Sequence, residues 1–246
     1  FRDIAWGLAS RGIAVFRYDK RTLIHGHKMK AEDVTLENEV IDDAVRALEL
    51  VASQPGVSKL FVLGHSLGGM MVPYIAQAAE VDGCIIAAGP ARPLYELLAE
   101  QMRYIASLDG KLSDEERAQI EAISSDVEKI RKGEAAPTDV LLGAPASYWL
   151  DPKMRGQLEA ARRLRVPLLF LQGGRDYQVT QEDFALWKEA LGAERDAGER
   201  DIEFRLYPEL NHLFMPGGSP PSPEDYQKRD HVSQRVIEDI AAWIKR

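Results

Sequence analysis

Four apolar residues, Leu60-Phe61-Val62-Leu63, run straight into Gly64-His65-Ser66-Leu67-Gly68-Gly69, and a helical pattern follows to about Ala79. A short apolar run closed by glycine reads as a buried strand. A strand that turns into a helix within so few residues needs small residues where the two backbones meet. Met71, Tyr74, Ile75 and Ala78 are expected on the inward side of that helix. Strand, tight turn and helix together are the unit of a parallel sheet, whose crossovers are helices, so further strand–helix units should flank this one and cover both sheet faces.

The rest of the chain supplies them. Residues 1 to 11 read as a helix with Phe1, Ile4, Ala5 and Leu8 on one face, stopped at Gly12. Ile13-Ala14-Val15-Phe16 reads as a short buried strand ending at Arg17-Tyr18-Asp19, and residues 20 to 34 as a polar loop. Leu36, Val40, Ala44, Leu48 and Val51 mark a helix over 36 to 53 that Pro55-Gly56 closes. Strands follow at 84 to 88, 166 to 171 and 202 to 206, with helices at 181 to 191 and 231 to 245. Residues 91 to 162 contain no convincing strand, and Ile120, Ile123, Val127 and Ile130 mark an amphipathic helix there, with a second near Tyr104, Ile105 and Leu108. A helical segment of that length is too long for a plain crossover. The expected organisation is therefore an α/β core, residues 1–90 and 163–246, with a helical cap, residues 91–162. The competing reading makes the insertion an elaboration remote from any site.

Composition narrows the function. The 246 residues carry a net charge of −8 and 28% charged residues. An acidic surface argues against a sequence-independent grip on nucleic acid or docking on anionic lipid, both of which need clustered Lys and Arg. No apolar run is long enough to span a bilayer. The single cysteine, Cys84, lies in an apolar strand and reads as a buried small hydrophobe. Small-molecule chemistry remains as the expectation, with oligomeric state and compartment left open.

Gly64-His65-Ser66-Leu67-Gly68 fits the pattern Gly-x-Ser-x-Gly, in which a serine on a sharp strand-to-helix turn projects its hydroxyl above the sheet. The following helix points its positive end at the site. Serine alone is a poor nucleophile at neutral pH and needs a base held by an acid. Asp176 lies just past one strand, in Gln172-Gly173-Gly174-Arg175-Asp176, and His212 just past the next, in Tyr207-Pro208-Glu209-Leu210-Asn211-His212. They are the candidate acid and base. Asp183, inside a helix, and Asp201, at a strand start, are weaker acids, and His231 is a weaker base. His65, next to Ser66 in a sharp turn, should point elsewhere and act as a packing or hydrogen-bonding neighbour. The backbone N–H of Leu67 is the candidate oxyanion donor. His25 and His27 form a His-x-His pair with no further ligand motif, so no metal and no cofactor is expected. Met102, Tyr104, Tyr148 and Trp149 could line a substrate pocket, although cap core is the plainer reading.

These segments, together with Ala14-Val15-Phe16-Arg17-Tyr18-Asp19-Lys20-Arg21, resemble bacterial α/β-hydrolase-fold serine esterases, a group described as carboxylesterases or serine-aminopeptidase-like hydrolases. The resemblance implies a carboxylesterase acting on small, short-chain esters through an acyl-enzyme on Ser66. Two alternatives stay open: a peptidase or amidase with the same triad, in which Glu96 or Glu100 would hold the substrate's amino group, and a non-catalytic binding module. It also implies that a second oxyanion donor and three earlier strands belong upstream of Phe1, in a segment of roughly some tens of residues.

Overall fold

The computed structural model describes all 246 residues, Phe1–Arg246. In chain order the elements are α1 (Arg2–Ala9), α2 (Arg21–His25), α3 (Asp42–Ala52, preceded by a π-helical turn Glu37–Ile41), β1 (Phe61–His65), α4 (Leu67–Ala78), β2 (Gly83–Ala87), α5 (Leu94–Ser107), α6 (Asp114–Lys132), β3 (Val140–Leu141), β4 (Ala144–Pro145), α7 (Ala146–Trp149), α8 (Gln157–Arg163), β5 (Leu168–Gly173), α9 (Gln181–Asp196), β6 (Ile202–Tyr207) and α10 (Gln234–Ile244). Four strands form one parallel sheet in the order β1-β2-β5-β6. β3 and β4 make a separate two-residue antiparallel pair. A parallel sheet with helices packed on it is the α/β architecture expected from the sequence.

The sheet is covered on both faces, which is why its central strands are apolar throughout. Alternate residues of β2 and β5 point to opposite sides. Cys84, Ile86, Leu168 and Phe170 join one core with α4, α8 and α9, in which Met70, Met71, Trp187 and Leu191 are sealed from solvent. Ile85, Ala87, Leu169 and Leu171 join a second core with α1 and α10, built on Ile4, Leu8, Val236, Ile240 and Trp243. Each large side chain sealed this way stabilises the fold by about 1.5–3 kcal/mol. α6 has only Val127 and Ile130 fully buried, so its ends matter more. Ser113 and Glu116 form a reciprocal capping box, Gly133 closes the helix at φ 68, acids occupy the first turn and bases the last.

The segment between β2 and β5 is rooted by an ion pair. Asp183 of α9, sealed from solvent, accepts from the backbone N–H groups of Ala91 and Arg92 at 2.9 and 3.0 Å and from the Arg92 guanidinium at 2.8 Å. At the other end, Tyr148 donates to Glu39 at 2.7 Å and Lys153 pairs with Glu37 at 3.1 Å.

Several expectations are corrected. Residues 13 to 18 form no strand: Val15, Phe16 and Tyr18 are exposed, and just beyond them Arg21 of α2 pairs with Asp43 of α3. A strand is a relation between two segments, and β1 bonds only to β2, so the apolar run has no ladder to join. The polar stretch after it contains α2 and two 3₁₀ turns. The strandless insertion carries the short β3–β4 pair, closed by Leu142 and Gly143 at positive φ. Ala78, expected inward, is exposed in the last turn of α4, while Met70 and Val72 are buried instead.

Candidate active site

Ser66, Asp176 and His212 each follow the carboxyl end of a strand of the parallel sheet, respectively β1, β5 and β6. That rim is where open α/β sheets bind ligands. Ser66 sits at φ 56, ψ −124, in left-handed territory that costs a non-glycine residue about 1–3 kcal/mol. Two hydrogen bonds hold it there, from Ser66 N–H to the Ala87 carbonyl at 3.0 Å and from Met70 N–H to the Ser66 carbonyl at 2.9 Å. The turn closes because Gly64 has no side chain: a Cβ there would overlap the Gly68 carbonyl and come within 2.6 Å of Val72 Cγ2. Gly69 touches Gly89 of the next strand exit, where a Cβ would lie 3.0 Å from the Gly89 Cα. The expectation of a steric need at Gly68 itself is corrected, since a Cβ there would meet nothing within 4 Å. Gly68 contributes the surface that Gly64 packs on, and Gly69 supplies the second close approach. Leu67, first residue of α4, has no intrahelical acceptor for its N–H.

The Asp176 carboxylate is sealed and fully engaged. Oδ1 accepts from the N–H groups of Gln178 and Val179 at 2.8 and 3.0 Å. Oδ2 accepts from His212 Nδ1 at 2.7 Å and from Gln172 Nε2 at 3.3 Å. Since a carboxylate only accepts, the proton of His212 lies on Nδ1 and Nε2 keeps its lone pair. No hydrogen bond joins the Ser66 hydroxyl to His212 Nε2, and no other side chain engages either atom; the only side-chain bond of the His212 ring is the one to Asp176. The two loops that carry Asp176 and His212 are pressed together through glycines. A Cβ on Gly173 would lie 2.5 and 2.6 Å from the carbonyls of Leu210 and Asn211, and one on Gly174 would lie 2.6 Å from Pro208. The Asn211 side-chain carbonyl accepts from Leu213 and Met215 N–H and folds the chain around His212.

His65 ends β1 on the face of Phe61 and Leu63, away from Gly64. Its Nε2 lies 2.7 Å from the His212 carbonyl, and the two imidazoles are 4.5 Å apart between centroids. Burial, then the neighbouring His212, holds the His65 imidazole well down, to about 4. Sequence reasoning placed His65 outside the base role but had no signal for this partner, which lies 147 residues away.

The remaining candidates lie elsewhere or are committed. Glu100 pairs with Arg92 at 2.6 Å and Glu96 with Arg131 at 3.5 Å. Trp149 donates to the Leu141 carbonyl at 2.8 Å inside the core, and Tyr148 is held by Glu39. Tyr104 donates to the Pro221 carbonyl at 2.7 Å and stacks on Tyr177, beside Asp176. Met102 is half-buried on α5. His231 is exposed and bound to Asp3, and Asp201 is exposed before β6. His25 and His27 lie on α2 and the 3₁₀ turn after it, and burial pushes the Cys84 thiol up to about 12.

Comparison with known proteins adds the following. A family model described as serine aminopeptidase, S33, matches residues 1–216. Esterase EstD of Thermotoga maritima is 40% identical over 244 residues, covering 99% of this chain and 56% of EstD. The chain thus spans about half the length of that curated relative. Among solved structures, Est1E from Butyrivibrio proteoclasticus with ferulic acid bound matches at a TM-score of 0.60 and 16% identity, over 99% of this chain and 80% of that one. The esterase domain of a Rhodothermus marinus protein matches at 0.53 and 18%, over 98% and 78%. At these identities the structural matches speak for the fold.

Proposed function

This chain belongs to the serine aminopeptidase S33 family, and from that premise we propose that it is the hydrolase core of an enzyme that cleaves carboxylic esters, with Ser66 as nucleophile, His212 as base and Asp176 as the acid that orients it. The observation that carries the reading is the 2.7 Å bond between Asp176 and His212 on the strand exits beside the strained turn at Ser66. In this mechanism His212 Nε2 takes the proton of Ser66 as its oxygen attacks the ester carbonyl. The Leu67 N–H, at the positive end of α4, donates to the oxyanion. His212 then gives its proton to the leaving alcohol, and Asp176 steadies the imidazolium. Water, activated by the same base, releases the acid and restores Ser66.

We assign residues 91–162 as the helical cap and residues 1–90 with 163–246 as the core. The cap's root is the Arg92–Asp183 pair. Small, short-chain esters are the favoured substrates, since Tyr148 and Trp149 are spent on packing rather than on a long apolar channel. The family description favours an amide reading as the second choice. Against it, Glu100 already pairs with Arg92 and Glu96 with Arg131. No helix is long and apolar enough to cross a membrane.

A serine-directed organophosphonate tests the assignment. One equivalent should add to Ser66, and Ser66→Ala should abolish both labelling and hydrolysis of an aryl ester. Labelling that survives the substitution removes Ser66 from the mechanism. A matched ester and amide pair separates the two substrate readings, and an acyl series from two to sixteen carbons should peak at the short end.

A further inference from the structure

Outside the proposed triad, one half-buried imidazole, that of His65, touches the backbone of His212. We propose that His65 is a positioning residue for His212: it donates a hydrogen bond from Nε2 to the backbone carbonyl of His212 and so sets the height of the base above the sheet. This rests on the triad reading above and adds a fourth side chain to it.

The geometry has three parts. First, a carbonyl oxygen only accepts, so the 2.7 Å contact makes Nε2 the donor and fixes the His65 tautomer. Second, His65 is the last residue of β1 and directly precedes Ser66, so donor and nucleophile ride on the same rigid strand end. The hydrogen bond therefore ties the base's own backbone to the strand that carries the nucleophile. Third, the ring is held from the other sides by aromatic edges, Phe1 at 5.4 Å and Phe214 at 6.2 Å, and faces the His212 ring at 4.5 Å. Asp176 fixes the rotation of the His212 ring, whereas His65 fixes where its main chain lies. Burial keeps His65 neutral near neutral pH, so it holds the base without placing a second positive charge beside the imidazolium that forms.

The nearest shape-matched substitution without a donor is His65→Leu. Gln at the same position reaches about as far as Nε2 and keeps an N–H. With an aryl ester and the full-length protein, His65→Leu should lower kcat by about 10- to 100-fold with KM nearly unchanged, the loss expected from a base displaced by about an ångström. His65→Gln should recover most of it. The low-field proton resonance of His212 Nδ1–H should persist in wild type and His65→Gln and broaden in His65→Leu. Should His65→Leu fail to fold, His65→Asn, whose amide stops short of the Nε2 position, replaces it with the same expected loss. Wild-type kcat in the variant without a donor overturns the proposal, as does a Gln variant as slow as the Leu one. His212→Ala separates the two layers: if it abolishes hydrolysis while His65→Leu does nothing, only this inference falls, and if it leaves hydrolysis intact the triad reading falls and takes this one with it.

Discussion

Replacing Gly64 with alanine adds one carbon, and the turn has no room for it. The new Cβ would overlap the backbone carbonyl of Gly68 and sit 2.6 Å from Val72 Cγ2. The first obstacle is main chain of α4, which is pinned by the Met70-to-Ser66 hydrogen bond and by fully buried Met70, Met71 and Val72. Relief requires moving the helix off the strand. Overpacking of a well-packed core costs about 1–3 kcal/mol. In a domain of this size each kcal/mol lowers Tm by about 2–4 °C. Gly68→Ala is the internal control, because its Cβ meets nothing within 4 Å and its backbone is helical. There alanine should be neutral or stabilising by up to about 1 kcal/mol. The pair differ by four positions and one direction in space, so composition and chain entropy are matched. Urea denaturation at constant m-value would measure both. Equal midpoints for the two variants would refute the argument that Gly64 is required by the approach of strand and helix. A Gly64→Ala variant of native stability would refute it more directly.

Two further outcomes follow from the site. Asp176→Asn keeps the acceptor for Gln178 and Val179 N–H but removes the carboxylate from His212 Nδ1, so kcat on an aryl ester should drop by about 10⁴-fold, the loss typical of an amide in the orienting position of a triad, with little change in Tm. Stability should also fall on acidification because the His65 imidazole is held at about 4 in the fold against 6.5 in the open chain. Between those values the unfolded state binds the extra proton, so stability is full above about pH 6.5 and declines towards pH 4, by a few kcal/mol on this account; denaturation midpoints of wild type and His65→Gln should converge as pH falls, and parallel curves would count against it.

Much of this architecture is legible in the chain because the physics involved is local. The apolar run that becomes β1, the glycine at position 64 and the strand exits before Asp176 and His212 are properties of short windows. What escapes reading is relational. Ile13 to Phe16 has the composition of a buried strand, yet no strand of the sheet bonds to it, and composition alone does not report pairing. Gly68 looks as necessary as Gly64 in the motif, but the direction of its absent Cβ is set by the helix it begins. Asp183 reads as one more helical acid until α9 is seen to lie against Ala91 and Arg92. The donor role of His65 needs a residue 147 positions away.

The same distinction explains how the site is held. Ser66 occupies a conformation that would relax if released, at a cost of about 1–3 kcal/mol that the packed strand–helix turn must offset. A histidine at a loop end has two side-chain torsions that the loop alone does not fix. His212 is held by groups from two other strand exits, the carboxylate of Asp176 after β5 and the imidazole of His65 at the end of β1, and by the Asn211 turn of its own loop. Each grip acts on a different degree of freedom, respectively ring rotation, main-chain position and loop path. Removing any one should therefore slow the base without dissolving the fold, and two removals that act on different freedoms should cost more together than the larger of the two alone. That non-equivalence is what a rigid parallel sheet makes possible, because its strand exits keep fixed distances while the loops between them change.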